Sequence, residues 1–135
     1  MIRFLLDTNI CIDIIRRRSE KALRRLTASP VGQVGISSIT LAELEYGVYK
    51  SADPQRNAVA LLEFCTPLEI APFDEHAALA YGRIRAVLEH KGRTIGPMDM
   101  LIAAHALALE TTLVTNNLRE FKRIKDLQLE NWTAQ

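Results

Sequence analysis

Four acids carry the chemical interest of this sequence: Asp7, Glu43, Asp99 and Glu120 come from distant segments, and each sits at or near a turn that joins an apolar run to a helical pattern. Asp7 follows Phe4-Leu5-Leu6, and Asp99 lies among Met98, Met100, Leu101 and Ile102. Both therefore belong at the edge of an apolar interior, where a lone charge is costly. Carboxylates crowded there raise one another's pKa unless a cation intervenes. A hard divalent ion with oxygen ligands meets that need, and Mg²⁺ takes only one or two carboxylates directly, leaving others to hold its waters. Such a centre suits hydrolysis of a phosphodiester, because the ion neutralises charge on phosphorus oxygens and lowers the pKa of a water.

Each acid also has a plainer use, since the first turn of a helix favours negative charge. Thr40-Leu41-Ala42-Glu43 and Asn117-Leu118-Arg119-Glu120 both fit a capping box, and Asp7 reads as an N-cap. Rival chemistries find less support. Cys11 and Cys65 have no histidine in sequence context, and neither a GxSxG elbow nor a GxxxxGK[ST] phosphate loop occurs. His76, His90 and His105 are far apart and form no HExxH pattern, and His105, inside an apolar helix, reads as a core or interface residue.

The elements that must position these acids alternate along the chain. Strands are expected at Ile2 to Leu6, Gln33 to Ser37, Leu68 to Ile70, Thr111 to Thr115 and, at an edge, Leu127 to Leu129. Between them lie a helix with Ile10 to Ile15, one from Ser19 through Leu26, others from Leu41 to Lys50 and Pro54 to Cys65, and one from Asp74 to His90 with Ala78, Tyr81, Ile84 and Leu88 on one stripe. Pro97 opens the apolar helix Met98 to Leu109, and Leu118 to Ile124 forms a short one. Strands separated by helices imply an α/β fold with a central, mainly parallel sheet flanked by helices on both faces. The site of such a sheet lies beyond the carboxyl ends of its strands.

Length and composition set the frame. At 135 residues with 48% hydrophobic residues, the chain fits a single domain, 1–135, with a buried core. A net charge of +1 excludes a dedicated nucleic-acid-coating protein, so any nucleic acid must meet a local patch. Two cysteines without CxxC spacing, a short N-terminal apolar run and no stretch long enough to span a bilayer lead to the expectation of a cytoplasmic protein with buried thiols and no membrane association.

Four segments resemble, in order, the motifs of PIN-domain nucleases: Leu5-Leu6-Asp7-Thr8-Asn9, Ile36 through Leu44, Ile95-Gly96-Pro97-Met98-Asp99, and Leu113 through Phe121. The resemblance covers essentially the whole chain and implies a PIN-like fold. Within that superfamily the chain is most similar to VapC toxins of bacterial type II toxin–antitoxin pairs, in particular to the initiator-tRNA-specific endonucleases. The likeness implies Mg²⁺- or Mn²⁺-dependent cleavage of RNA, with initiator tRNA cut in the anticodon loop, a homodimer, and a cognate VapB antitoxin. It also implies Asp7 and Asp99 as metal ligands, with Glu43 completing the acidic set. Many PIN domains carry an aspartate in the fourth motif where this chain has Asn117, so Glu120 takes part as a further acid, a holder of water, or a helix cap.

Thr8, Asn9, Thr115 and Asn116 fit a polar surround that orients carboxylates or meets a phosphate, though Thr and Asn are also ordinary turn residues. Basic residues cluster at Arg16-Arg17-Arg18 with Lys21, Arg24 and Arg25, and again at Arg119 to Lys125. Most charge runs are solvated faces, so RNA contact is assigned to Arg93 and Arg119, which adjoin motif residues. Tyr46, Tyr49 and Phe121 are the aromatic residues placed to stack on bases, with core packing favoured for Phe121. The helices bearing Ile10 to Ile15 and Leu44 to Tyr49 offer either an apolar groove for an antitoxin segment or simply core. The alternatives are a PIN nuclease with another RNA substrate or a non-catalytic RNA- or partner-binding module. A phosphoacceptor receiver domain fits poorly, because Asp7 is followed by Thr8 and Asn9 in place of the acidic pair that such domains require.

Overall fold

The computed structural model describes residues 1–134. Along the chain run β1 (Phe4–Leu6), α1 (Thr8–Ile15), α2 (Glu20–Ala28), β2 (Val34–Ser37), α3 (Ser38–Lys50), α4 (Pro54–Cys65), β3 (Glu69–Ala71), α5 (Glu75–His90), α6 (Pro97–Leu109), β4 (Thr112–Val114), α7 (Leu118–Phe121) and β5 (Gln128–Glu130). The strands form one sheet in the order β3-β2-β1-β4-β5, and every neighbouring pair is parallel.

The apolar runs of the inner strands follow from burial on both faces. In β1, Phe4 and Leu6 pack with Ile10 and Ile14 of α1, Leu44 and Val48 of α3 and Leu61 of α4. Leu5 points the other way, to Ile84 and Leu88 of α5, Ile102 of α6 and Phe121 of α7. Leu113 and Val114 divide between the two cores in the same manner. Helices α1 to α4 therefore cover one face and α5 to α7 the other. Gly35 in β2 is demanded by space, since a Cβ there would lie 2.7 Å from the Glu69 carbonyl oxygen and 2.8 Å from Ile2 Cδ1.

Several local expectations change in the folded chain. Helix α3 starts at Ser38, three residues earlier than the pattern predicts, because Ser37 Oγ accepts the Ile39 N–H at 3.0 Å and caps it. Thr40 and Glu43 are consequently not a capping box, and Glu43 lies beyond the first turn. Asn117 makes no side-chain cap either. The buried row of α5 is Ala77, Ile84 and Leu88 with Tyr81 half-buried, while Ala78 faces solvent, so the stripe is rotated by one residue at its start. Helix α7 stops at Phe121 because the chain tightens there: Arg123 and Ile124 donate to carbonyls three residues back. Cys11 is buried as expected, but Cys65 is only partly so.

Candidate active site

Strand β1 lies between β2 and β4, and the chain moves outward from it to β3 on one side and β5 on the other. Strand order thus reverses at β1, and the carboxyl ends of β1 and β4 are where a sheet of this kind places its ligand site. Asp7 leaves β1 there, and its N–H donates to the Val114 carbonyl at 2.9 Å, tying it to the end of β4. Residue 7 occupies the N-cap position of α1, yet its side chain makes no capping hydrogen bond. Instead the Thr115 hydroxyl donates to Asp7 Oδ2 at 2.7 Å, while Thr115 Oγ1 itself accepts the Asn117 N–H at 2.9 Å. Asp7 is 1% exposed. Burial raises its pKa, the Thr115 hydroxyl and the neighbouring Thr8 and Asn9 amides oppose the rise, and Glu43 adds to it.

Glu43 is held from the same turn. The Thr8 hydroxyl donates to its Oε1 at 2.6 Å and touches the buried Thr40 hydroxyl at 3.3 Å. Thr8 has one proton to give, and the acceptor-only carboxylate at the shorter distance takes it. Asp99, half-buried in the first turn of α6, has its pKa pushed up to about 6, by burial first and then by Asp7, Glu120 and Glu43. Glu120 accepts from the Asn117 side-chain amide at 3.0 Å. Asp99 therefore lies within electrostatic reach of the other three acids, and Asp7 within reach of Glu43.

No cationic side chain among the described residues pairs with them. Among the described residues the ion pairs are Arg18–Asp13, Arg25–Glu130 and Arg85–Glu89, none of which involves these acids. Desolvated, mutually repelling carboxylates without a counter-ion are the donor set of a hard divalent cation. Among the described residues, no three acidic, histidine or cysteine side chains stand close enough to enclose an ion by themselves. An ion here would be bound by one or two carboxylates and would complete its shell with waters.

Other expected site residues divide clearly. Thr8 and Thr115 orient carboxylates, whereas Asn9 is exposed and its side chain makes no hydrogen bond among the described residues. The side chain of Asn116 turns away from the acids and donates to Asp13 Oδ2 at 3.2 Å. Arg93 and Arg119 are exposed and enter no ion pair among the described residues. Phe121 is fully buried, while Tyr46 stands exposed one helical turn beyond Glu43. Ile10, Ile14, Leu44 and Val48 are core, and Ile14 also borders an open apolar cleft lined by Leu23 and Leu26 of α2 with Phe64 and Leu68; Leu44 and Val48 do not line it.

Three positions were not singled out from sequence as parts of this framework: Thr40, Asn117 and Asp13. Thr40 was visible only as a cap, and Asn117 as a cap and as the fourth-motif position that lacks an aspartate, because the i to i+3 spacing of a capping box equals that of two side chains meeting on one helix face. His105 is a core residue as expected; its Nδ1 lies 2.7 Å from Ser37 Oγ, its ring meets Phe73 edge-on, and burial lowers its pKa against the pull of Asp74. Burial pushes the Cys11 thiol well up, which removes it as a nucleophile.

Comparison with known proteins identifies the family and the fold. The family model described as PIN domain matches residues 4–127. The tRNA(fMet)-specific endonuclease VapC of Salmonella typhimurium is 44% identical over 98% of this chain and 99% of its own. Ribonuclease VapC2 of Rickettsia felis is 46% identical over 96% of this chain and 97% of its own. Among solved structures, VapBC2 from Rickettsia felis bound to a promoter DNA fragment aligns with a TM-score of 0.92 at 46% identity, covering 98% of this chain and 99% of that one. DNA-bound VapBC from Salmonella typhimurium aligns with a TM-score of 0.93 at 44% identity, with the same coverage of both chains.

Proposed function

The chain belongs to the PIN-domain family, in its VapC branch of toxin–antitoxin ribonucleases, and from that premise we propose that it is an Mg²⁺-dependent endonuclease that cuts initiator tRNA in the anticodon loop. The observation that carries this reading is the electrostatic proximity of Asp99 to Asp7, Glu43 and Glu120, with no ion pair to any of these acids among the described residues.

Asp7 and Asp99 would hold the ion, Mn²⁺ serving as a substitute. When bound, the ion supplies charge neutralisation at the scissile phosphate and lowers the pKa of an attacking water. Glu43, fixed by Thr8, orients water and accepts its proton. Thr115 favours the ionised form of Asp7 and fixes the direction of its carboxylate, and Glu120, tied to Asn117, closes the far side of the acidic rim. We also infer one domain over residues 1–135, a homodimer, a VapB-type antitoxin as inhibitor and a cytoplasmic setting; no helix among the described residues is long and apolar enough to cross a membrane.

The test is incubation of the purified chain with total tRNA in Mg²⁺, Mn²⁺ or EDTA, followed by mapping of the cut ends. Cuts confined to the anticodon loop of initiator tRNA, lost in EDTA and in Asp7→Asn, support the reading. Cuts spread over many tRNAs would remove the initiator assignment, and equal cleavage by Asp7→Asn would remove the carboxylate mechanism.

A further inference from the structure

An acidic centre that works on a polyanion repels its substrate, so cations must lie within reach of it. The strongest concentration is not at Arg93 or Arg119. Residues 13–25 hold six basic and two acidic side chains, a net +4 within a chain whose total is +1. The fold carries this segment to the rim of the carboxylates through a short series of contacts. Thr115 binds Asp7; the adjacent Asn116 donates to Asp13 Oδ2 at 3.2 Å; Asp13 Oδ1 in turn lies 4.0 Å from the Arg18 guanidinium.

The local backbone keeps the arginines outside. Helix α1 ends as the Arg17 N–H returns to the Ile14 carbonyl and the Arg18 N–H to the Asp13 carbonyl. Arg17 takes a left-handed φ of 56°, which turns the chain sharply and leaves Arg16, Arg17 and Arg18 all exposed. The basic surface continues on α2 into a cleft of about 540 Å³, where Lys21, Arg24 and Arg25 face the segment Asn131 to Ala134. Arg25 is balanced by Glu130, and Arg18 by Asp13, but Arg16, Arg17 and Arg24 enter no ion pair among the described residues.

We propose that the α1–α2 turn, led by Arg16 and Arg17 and continued by Arg24, is a phosphate-binding track that holds the RNA backbone flanking the scissile bond. The proposal rests on the ribonuclease reading, and adds where the substrate lies. Because these arginines touch phosphates and not the reacting atoms, they govern KM and salt sensitivity and leave kcat in place.

The test uses the full chain with an anticodon stem-loop RNA and with polyuridylate as probes. Binding is measured over a salt series in an Asp99→Asn background, and cleavage in the otherwise wild-type chain. Arg16→Gln with Arg17→Gln is expected to weaken both RNAs about tenfold at low salt, to reduce the slope of log affinity against log salt by about 1–2, and to raise KM with kcat unchanged. Arg16→Glu with Arg17→Glu should double the loss. Arg56→Gln with Arg83→Gln, removing equal charge on α4 and α5, should leave the slope as it was.

Equal slopes for the Arg16/Arg17 variant and wild type would overturn the track, as would an equal effect of the control pair. Loss of affinity for a protein partner with RNA binding intact would also overturn it, and would assign the patch to protein docking. Absence of any metal-dependent RNA cleavage by the wild-type chain would instead sink the ribonuclease reading, and the binding series separates the two failures.

Discussion

Thr115 and Asp7, separated by 108 positions in the chain, are joined by a 2.7 Å hydrogen bond from hydroxyl to carboxylate at the carboxyl ends of two neighbouring strands. The bond favours the ionised form of a carboxylate that burial pushes toward protonation. Replacing Thr115 by Val keeps the shape and removes the donor. Cleavage is expected to fall about 10–100-fold, and the pH midpoint of activity to move upward as Asp7 loses the group that holds its pKa down. Thr115→Ser should restore both. A pH–rate profile checks this, and an unmoved midpoint would refute it.

The Thr8–Glu43 contact at 2.6 Å predicts non-additivity. Thr8→Val and Glu43→Gln are each expected to lower cleavage, but the double variant should be scarcely worse than Glu43→Gln alone, since the hydroxyl acts through that carboxylate. Fully multiplicative losses in single-turnover assays would show that Thr8 acts elsewhere.

Asp99 predicts how the metal-free protein responds to pH. Its pKa is about 6 when folded against an ordinary 3.8, so folding favours the protonated carboxyl. That contribution is complete below 3.8 and is lost as pH rises through about 6. In EDTA at neutral pH, Asp99→Asn should therefore be more stable than wild type by about 1–2 kcal/mol, a shift of this size being reduced by partial exposure. The advantage should vanish at acid pH. Urea unfolding at the two pH values measures it, and a less stable Asn variant at neutral pH would contradict the desolvation account.

Mg²⁺ should reverse that ranking. Wild type gains stability with ion concentration through binding to the folded state, while Asp7→Asn and Asp99→Asn gain little. The gain should weaken below about pH 6, where protons compete at Asp99. Thermal melts over an Mg²⁺ titration provide the measurement; equal gains in all three proteins would place the ion elsewhere.

Two glycines separate packing from function. Gly35→Ala forces a methyl against the Glu69 carbonyl and Ile2, and should cost about 1–3 kcal/mol without altering the chemistry of folded molecules. Gly82→Ala, in the exposed middle of α5 where nothing lies within 4 Å, should stabilise by about 0.5–1 kcal/mol. Comparing unfolding midpoints of both variants decides the point.

Asp7 and Thr115, their places at strand ends and the order of the motifs were legible in the residues themselves, because a strand buried on both faces must be apolar and the polar residue that ends it is conspicuous. Leu5-Leu6-Asp7 and Leu113-Val114-Thr115 announce themselves in this way. What each acid does was not legible. A Thr and a Glu three positions apart describe a capping box and a site-facing pair equally well, and only Ser37 capping α3 frees Thr40 and Glu43 for the second use. Asp7 reaches Thr115 because Leu6 stands in register with Val114 in a parallel pair, which brings the next residue of each strand side by side. Asn116, one residue further, looks outward to Asp13 and carries the basic turn to the same rim. The linear chain encodes local preference strongly, whereas strand register and side-chain direction arise from packing between distant segments, and those decided which carboxylates meet, what orients them and where the neighbouring positive charge lies.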